Sequence, residues 1–246
     1  MKLTGNTILI TGGTAGIGRS LALALNELGN KVIICGRRLD RLEEIHSDRP
    51  DIEIIECDVA DEAQRNMLAE KIHSDFPAIN VLINNAGMQL AHDLTAPLDI
   101  RSVNDELNTN FVAPVHLTSL IIPIISNNDA PAIINISSGL AFTPLAFMPI
   151  YCASKAALHS WSMSLRAQLK EVGVKVYEVA PPSVDTELGY QRRSDKTQSH
   201  GGMPVNEFVD LTIEALKTDQ YQVGIGPAAK MMSDRDEFFD QLNSSI

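Results

Sequence analysis

Tyr151 and Lys155 stand four residues apart, which puts both on one face if the segment is helical. An ammonium beside a phenol favours the phenolate, whose ordinary pKa is about 10. A tyrosine so placed can give or take a proton near neutral pH. An ordinary surface pair shows the same spacing. Cys152, the next residue, points about 100° away on such a helix and is read as outside the site. Ser137 and Ser138 close an apolar run that begins at Ala132. At the carboxyl end of a central strand a hydroxyl reaches the usual ligand crevice. Ser138 could bond a substrate carbonyl there, or it is a turn serine. Asn110 falls inside a long helical pattern, where Asn is mildly unfavourable. A polar network is the expected reason for it.

A second cluster speaks of a phosphate-bearing ligand. Residues 11 to 18 read Thr-Gly-Gly-Thr-Ala-Gly-Ile-Gly, between a strand-like run and a helical one. Gly12 can make the tight turn, Gly16 can let backbone approach a pyrophosphate, and Gly18 can let helix pack on strand. The helix start then offers free N–H groups to an anion. Thr14, Ala15 and Ile17 fall within the same loop. A Gly-rich turn without a ligand is the plainer alternative. Dinucleotide folds often carry an acid at the end of the second strand for the ribose hydroxyls. Here that stretch reads Cys35-Gly36-Arg37-Arg38. Two guanidinium groups stand where a 2′-phosphate would lie, so NADP(H) is favoured over NAD(H). Asp58, followed by Val59, either meets the adenine amino group or caps the next helix, with Asp61 competing for the cap. Asn84, Asn85, Ala86 and Gly87 end the fourth strand and suit a ribose or a backbone network equally.

These residues need a frame to hold them. Short apolar runs at Asn6–Thr11, Lys31–Cys35, Ile52–Cys57, Ile79–Asn84, Ala132–Ser137 and Val174–Val179 alternate with helical patterns, and Gln222–Ile225 offers a seventh run. The first helix has Leu21, Ala24, Leu25 and Leu28 on one face and Gly29 as its stop. Val103 to Ser126 reads as a long helix bent by Pro114 and Pro123. Strands without polar alternation, each followed by a helix, imply a parallel sheet covered on both faces. The expected architecture is a three-layer doubly wound α/β sheet of about seven strands, a Rossmann fold. No Ser-, Gly- or Pro-rich linker divides the chain, so residues 1–246 are expected to form one domain. The polar stretch 186–204, with Arg192, Arg193 and Lys196, is its candidate substrate lid.

Composition removes some partners. Lys plus Arg number 20 and Asp plus Glu 31, leaving a net charge of −11. So acidic a surface is unsuited to nucleic acid or anionic membranes. Cys35, Cys57 and Cys152 form neither a disulfide framework nor a CxxC metal pair, and no metal site is expected. The most apolar internal stretch, Ser119–Ser126, is broken by Pro123 and too short to span a bilayer. A soluble, cytoplasmic protein is expected.

Taken together, the motifs identify a family. In order and spacing, Thr11–Gly18, Asp58-Val59, Asn84–Gly87, Asn110, Ser138, the Tyr-Cys-Ala-Ser-Lys run 151–155 and the Pro-Pro-Ser-Val-Asp-Thr run 181–186 resemble the short-chain dehydrogenase/reductases. The resemblance covers nearly the whole chain. Its start and its 181–189 region are similar to a bacterial subgroup named for the D-alanyl-lipoteichoic-acid operon oxidoreductase. The resemblance implies that Tyr151 exchanges the proton at the substrate oxygen. Lys155 would lower its pKa and hold the nicotinamide ribose, Ser138 would orient the carbonyl, and Asn110 would hold a water leading to solvent. Gly12, Thr14, Ala15, Ile17, Arg37, Arg38, Asp58, Val59, Asn85, Ala86, Gly87, Pro181, Val184 and Thr186 would line the cofactor with Tyr151 and Lys155. Two positions depart from the family pattern. Pro182 stands where glycine is usual, and Ala15 stands where many NADP-preferring members have a basic residue.

The implied activity is an NADP(H)-dependent interconversion of a carbonyl and a secondary alcohol. Met88, Leu140, Phe142, Phe147 and Met148 are candidate apolar walls for a small substrate. A homodimer or homotetramer is implied by the resemblance alone. The competing reading is a catalytically silent NADP(H)-sensing protein. It has no use for the set Asn110, Ser138, Tyr151 and Lys155. A purely structural protein has no use for the glycine loop.

Overall fold

The computed structural model of the chain describes residues 1–188, 199 and 201–243. Among the described residues, seven strands form one sheet: β1 (Thr7–Thr11), β2 (Lys31–Gly36), β3 (Ile52–Glu56), β4 (Val81–Asn84), β5 (Ala132–Ile136), β6 (Lys175–Ala180) and β7 (Gln222–Gly224). All pairings are parallel, and the spatial order is β3-β2-β1-β4-β5-β6-β7. The expected doubly wound sheet is what forms. Ile8 and Ile10 turn to one face, where they meet Leu21 and Leu25 of α1 (Gly16–Glu27) and Phe208 of α7 (Val205–Lys217). Leu9 turns to the other, toward Leu68 of α3 (Glu62–Asp75), Leu117 of α5 (Ala113–Ile125) and Leu165 of α6 (Pro149–Leu169). Helices cover both faces, so every strand position can be apolar.

Local chemistry sets the helix ends. Gly29 stops α1 with φ +81, a left-handed conformation that glycine adopts at little cost. Leu28 falls beyond the last turn and is half-exposed rather than on the buried face expected for it. At α3 the cap is Asp61, whose carboxylate accepts the Gln64 N–H at 3.1 Å. Asp58 instead accepts the Ala60 N–H at 3.0 Å, which leaves it at the sheet edge. Asp61→Ala should lower stability by about 1 kcal/mol, a fall in melting temperature of about 2–4 °C at this chain length. Thermal unfolding followed by circular dichroism measures it, and an unchanged midpoint would remove Asp61 from the cap.

The long helical run differs from the expected bent helix. It starts as α4 (Ile100–Leu107), widens into a π turn at Asn108–Val112, and continues as α5. Pro114 explains the place. It has no N–H for the Asn110 carbonyl, and in a regular α-helix its ring would strike that oxygen. The Ala113 N–H reaches back five residues to the Asn108 carbonyl instead. Residues Ile100–Ile125 are long and apolar enough to cross a membrane by length and composition, unlike the shorter stretch marked out in the sequence. Within this fold the run lies against α3, β4 and β5.

Two further segments bear on the site. The stems of the candidate lid are pinned together, with the Met203 N–H donating to Ser183 O at 2.8 Å and the Asp185 N–H to Met203 O at 2.9 Å. Arg192, Arg193 and Lys196 lie outside the described residues. Near the C-terminus, α8 (Pro227–Ser233) and α9 (Arg235–Asn243) pack on the chain's own 143–146 segment. Thr143 Oγ1 donates to Met231 O at 3.0 Å, and Asn243 Nδ2 donates to Pro144 O at 3.1 Å.

Candidate active site

A cleft of about 520 Å³ opens at the carboxyl ends of the strands. It straddles the neighbours β1 and β4, from which the chain winds outward in opposite directions. Crevices of this kind are where doubly wound sheets hold ligands. Every residue expected to contact the cofactor lines it, as does Ser138. Asn110 does not.

The glycine loop forms the floor. Gly12 has φ +68, and a Cβ there would lie 2.8 Å from the Ala86 backbone. Gly18 packs so closely that a Cβ would lie 2.4 Å from the Gly12 carbonyl oxygen. Asn85 ties this loop to the end of β4, since its Nδ2 donates to Thr11 O at 2.9 Å and to Gly12 O at 3.2 Å. Thr11 Oγ1 in turn accepts the N–H groups of Asn85 and Ala86, both at 3.0 Å. The Asn85 Nδ2 thus serves the backbone network, and the residue also lines the cleft. No side chain among the described residues caps the start of α1, and Ala15, Gly16 and Ile17 there face the cleft. Its free N–H groups and dipole suit a phosphate.

The two arginines have different surroundings. Arg37 is largely exposed, with Nη1 3.7 Å from an Asp58 carboxylate oxygen. Arg38 is committed to the loops: its Nη1 donates to Glu187 at 2.7 Å and its Nη2 to Thr14 Oγ1 at 3.0 Å. Glu187 was not marked out by any sequence signal. It lies 149 residues from its partner, and only the path of the chain after β6 brings it to the cleft mouth.

At the other end of the cleft, Tyr151, Lys155 and Ser138 come together. Tyr151 and Lys155 both lie on α6, one turn apart, and are buried. The Ser138 hydroxyl, which accepts the Leu140 N–H at 3.1 Å, is near enough to the Tyr151 phenol to favour its ionised form. Burial works against this and is the larger effect, so the Tyr151 pKa is pushed up to about 12. Burial also pulls Lys155 down to about 8, partly opposed by the charge of Glu178. Lys155 Nζ donates to Ile136 O at 2.9 Å and lies 5.9 Å from the Tyr151 ring centre. The depression of the tyrosine pKa expected from the i, i+4 spacing does not prevail in this chain, where loss of solvent raises it.

Asn110 sits in the π turn, a feature frequent at functional sites. Its Oδ1 accepts the Met88 N–H at 2.8 Å, while Nδ2 donates to Met88 O at 2.9 Å and to Ser154 Oγ at 3.0 Å. The carboxamide is thus engaged by protein groups. A Cβ at Gly87 would lie 3.3 Å from Asn110 Oδ1 and 3.7 Å from Lys155 Nζ. Glycine eases the approach of the Asn110 carboxamide, while the Lys155 distance is an ordinary contact. Of the expected apolar walls, only Met88 faces the cleft, joined by Gln89 and Leu90. Phe142 is turned under the His159 ring, 4.5 Å between centres, and Leu140, Phe147 and Met148 pack behind Tyr151. Cys152 lies outside the site, as expected, with its thiol against the Leu145 backbone.

The family pattern described as short chain dehydrogenase matches residues 6–197 of the chain. The chain belongs to the short-chain dehydrogenases. It is 44% identical to an uncharacterized oxidoreductase called DltE from Bacillus subtilis (strain 168), over 99% of both chains. Its fold resembles that of a short-chain dehydrogenase from Sphingobium yanoikuyae solved in complex with NADPH, with a TM-score of 0.83 and 26% identity over 98% and 96% of the two chains. It also resembles a short chain dehydrogenase/reductase from Burkholderia phymatum in complex with NAD, with a TM-score of 0.84 over 99% and 97%. That likeness, at 22% identity, concerns the fold. This short-chain dehydrogenase is an oxidoreductase of alcohol and carbonyl groups, and its fold binds a nicotinamide cofactor. The uncapped start of α1 and the side-chain-free glycine cradle fit such a dinucleotide.

Proposed function

We propose that this dehydrogenase interconverts a carbonyl and a secondary alcohol with NADP(H), using Tyr151 as acid and base. The observation that carries the reading is the gathering of buried Tyr151, Ser138 and Lys155 on one wall of the cleft, with Lys155 one helical turn from Tyr151. When bound, the nicotinamide ring supplies the hydride in reduction and accepts it in oxidation. In reduction, Ser138 donates a hydrogen bond to the substrate carbonyl and fixes its direction. Tyr151 gives its hydroxyl proton to the same oxygen as that oxygen gains charge. Held by Ile136 O, Lys155 keeps a positive charge beside the phenolate left behind. Asn110 is a positioning residue that holds Met88 and Ser154. In oxidation the same groups take the proton back.

Arg37 supports the NADP(H) reading. Its exposed pairing with Asp58 at 3.7 Å is the kind of surface contact that contributes little, so the guanidinium can turn to a 2′-phosphate. Arg38 is already engaged. Arg37→Ala is expected to reduce kcat/KM for NADPH by about 10–100-fold, the loss of a charge-assisted contact, with little change for NADH. Absorbance of the nicotinamide band over a carbonyl panel, run with both cofactors, tests the reaction and the preference together. Equal use of NADPH and NADH by the unaltered protein would sink the preference.

The buried free cysteines support a cytoplasmic setting. A homodimer or homotetramer completes the reading, with exposed Val112 and Met163 on the α5 and α6 side available for it.

A further inference from the structure

We propose that Glu106 is a positioning residue which, with His92, clamps residues 88–92 as a wall at the substrate end of the cleft. This rests on reading the cleft as the reaction site. Two side chains four residues apart on the α4–π-turn run grip alternate residues of that segment. Asn110 holds both backbone groups of Met88. Glu106 Oε1 accepts the Leu90 N–H at 2.9 Å, and its Oε2 lies 3.0 Å from His92 Nε2. From the other side, the His92 N–H donates to Phe147 O at 3.1 Å, just ahead of the helix that carries Tyr151. The segment is thus fastened both to the helix run and to the approach to α6.

Glu106 is completely buried. An acid out of water is strongly unfavourable unless its oxygens are hydrogen-bonded, and both of these are. An apolar residue would fill the position with less desolvation. Such a residue would leave the Leu90 amide and the His92 ring unanchored. Glu106 is also near enough to Tyr151 for its charge to raise the phenol pKa. Met88 and Leu90, two of the gripped residues, face the cleft. The clamp therefore governs the fit of the substrate, while the glycine loop and Arg37, at the other end, govern the fit of the cofactor.

The test compares Glu106→Leu with Glu106→Gln, whose carbonyl can still accept the Leu90 N–H. Hydrogen–deuterium exchange is followed in the NADPH-loaded protein. Glu106→Leu is expected to speed exchange across 88–92 by at least about 10-fold, with the sheet unchanged, and Glu106→Gln to restore protection. Steady-state rates use NADPH with 4-nitrobenzaldehyde, phenylglyoxal and ethyl acetoacetate. For the best of these, Glu106→Leu should raise KM by roughly 10-fold, with kcat and NADPH affinity changed by less than about 3-fold. Wild-type exchange and KM in Glu106→Leu would overturn the proposal, as would loosening that spreads into the sheet. If the unaltered protein turns over none of the probes, the reaction reading fails while exchange still decides the clamp. Should Glu106→Leu not fold, His92→Leu, which leaves the Leu90 bond in place, decides by the same measurements.

Discussion

Replacing Tyr151 by Phe is expected to leave NADPH affinity within about 3-fold and to lower turnover by roughly 10²–10⁴-fold, the range for loss of a general acid. The substitution removes one oxygen and keeps a ring of the same shape in the same buried place. The cofactor contacts proposed for the glycine loop and Arg37 are untouched. Because burial holds the phenol near pKa 12, Tyr151 stays protonated through the neutral range and keeps its proton available for a carbonyl. Lys155 sets the alkaline side. Its pKa near 8 means the ammonium discharges as pH rises through that value, in Tyr151→Phe as in the parent protein. NADPH affinity should therefore weaken above about pH 8 in both, whereas only the parent shows fast turnover below it. Absorbance rates and fluorescence titration from pH 6 to 10 separate the two effects. Turnover of Tyr151→Phe within about 5-fold of the parent would remove the hydroxyl from the chemistry.

What could be read in advance follows the range of the interactions. The sheet was legible because Ile8 to Ile10 and Val32 to Cys35 lack polar alternation, and only a strand covered on both faces tolerates that. The glycine-loop end of the cleft was legible because it is one continuous segment, Thr11 to Gly18. Tyr151 and Lys155 were legible because a helix fixes their spacing. Contacts set by the path of loops were not. Arg38 meets Glu187, and Asn110 spends its carboxamide on Met88 and Ser154. Pro114 could be seen, but not that the backbone would answer it with a π turn instead of a bend. Phe142 had the right type for a pocket wall, yet packs at a tilt against the His159 ring. The protonation of Tyr151 and Lys155 depends on how completely they leave water, which no spacing reveals.

The glycine loop carries the other large expectation, and two alanine substitutions isolate its cause. Gly12 and Gly29 both have positive φ, +68 and +81. Each Gly→Ala change therefore meets left-handed strain of about 1–2 kcal/mol. Their surroundings differ. A Cβ at Gly29 meets nothing within 4 Å, while one at Gly12 lies 2.8 Å from Ala86 Cα and 3.1 Å from Ala86 N. Those are backbone atoms, and Ala86 N is already held by Thr11 Oγ1, so neither side can yield cheaply. Gly12→Ala must push the end of β4 away from the loop. The displacement also breaks the Asn85 contacts to Thr11 O and Gly12 O, which shape the cradle. Gly29→Ala is expected to cost only the strain and to bind NADPH normally. Gly12→Ala is expected to lose more than about 3 kcal/mol of stability and to weaken NADPH binding by at least roughly 10²-fold, a free-energy change near 3 kcal/mol. Urea unfolding and fluorescence titration of the two variants side by side give both numbers. Equal stabilities, with NADPH affinity retained in Gly12→Ala, would mean that the close approach to Ala86 does not hold the cofactor loop in place.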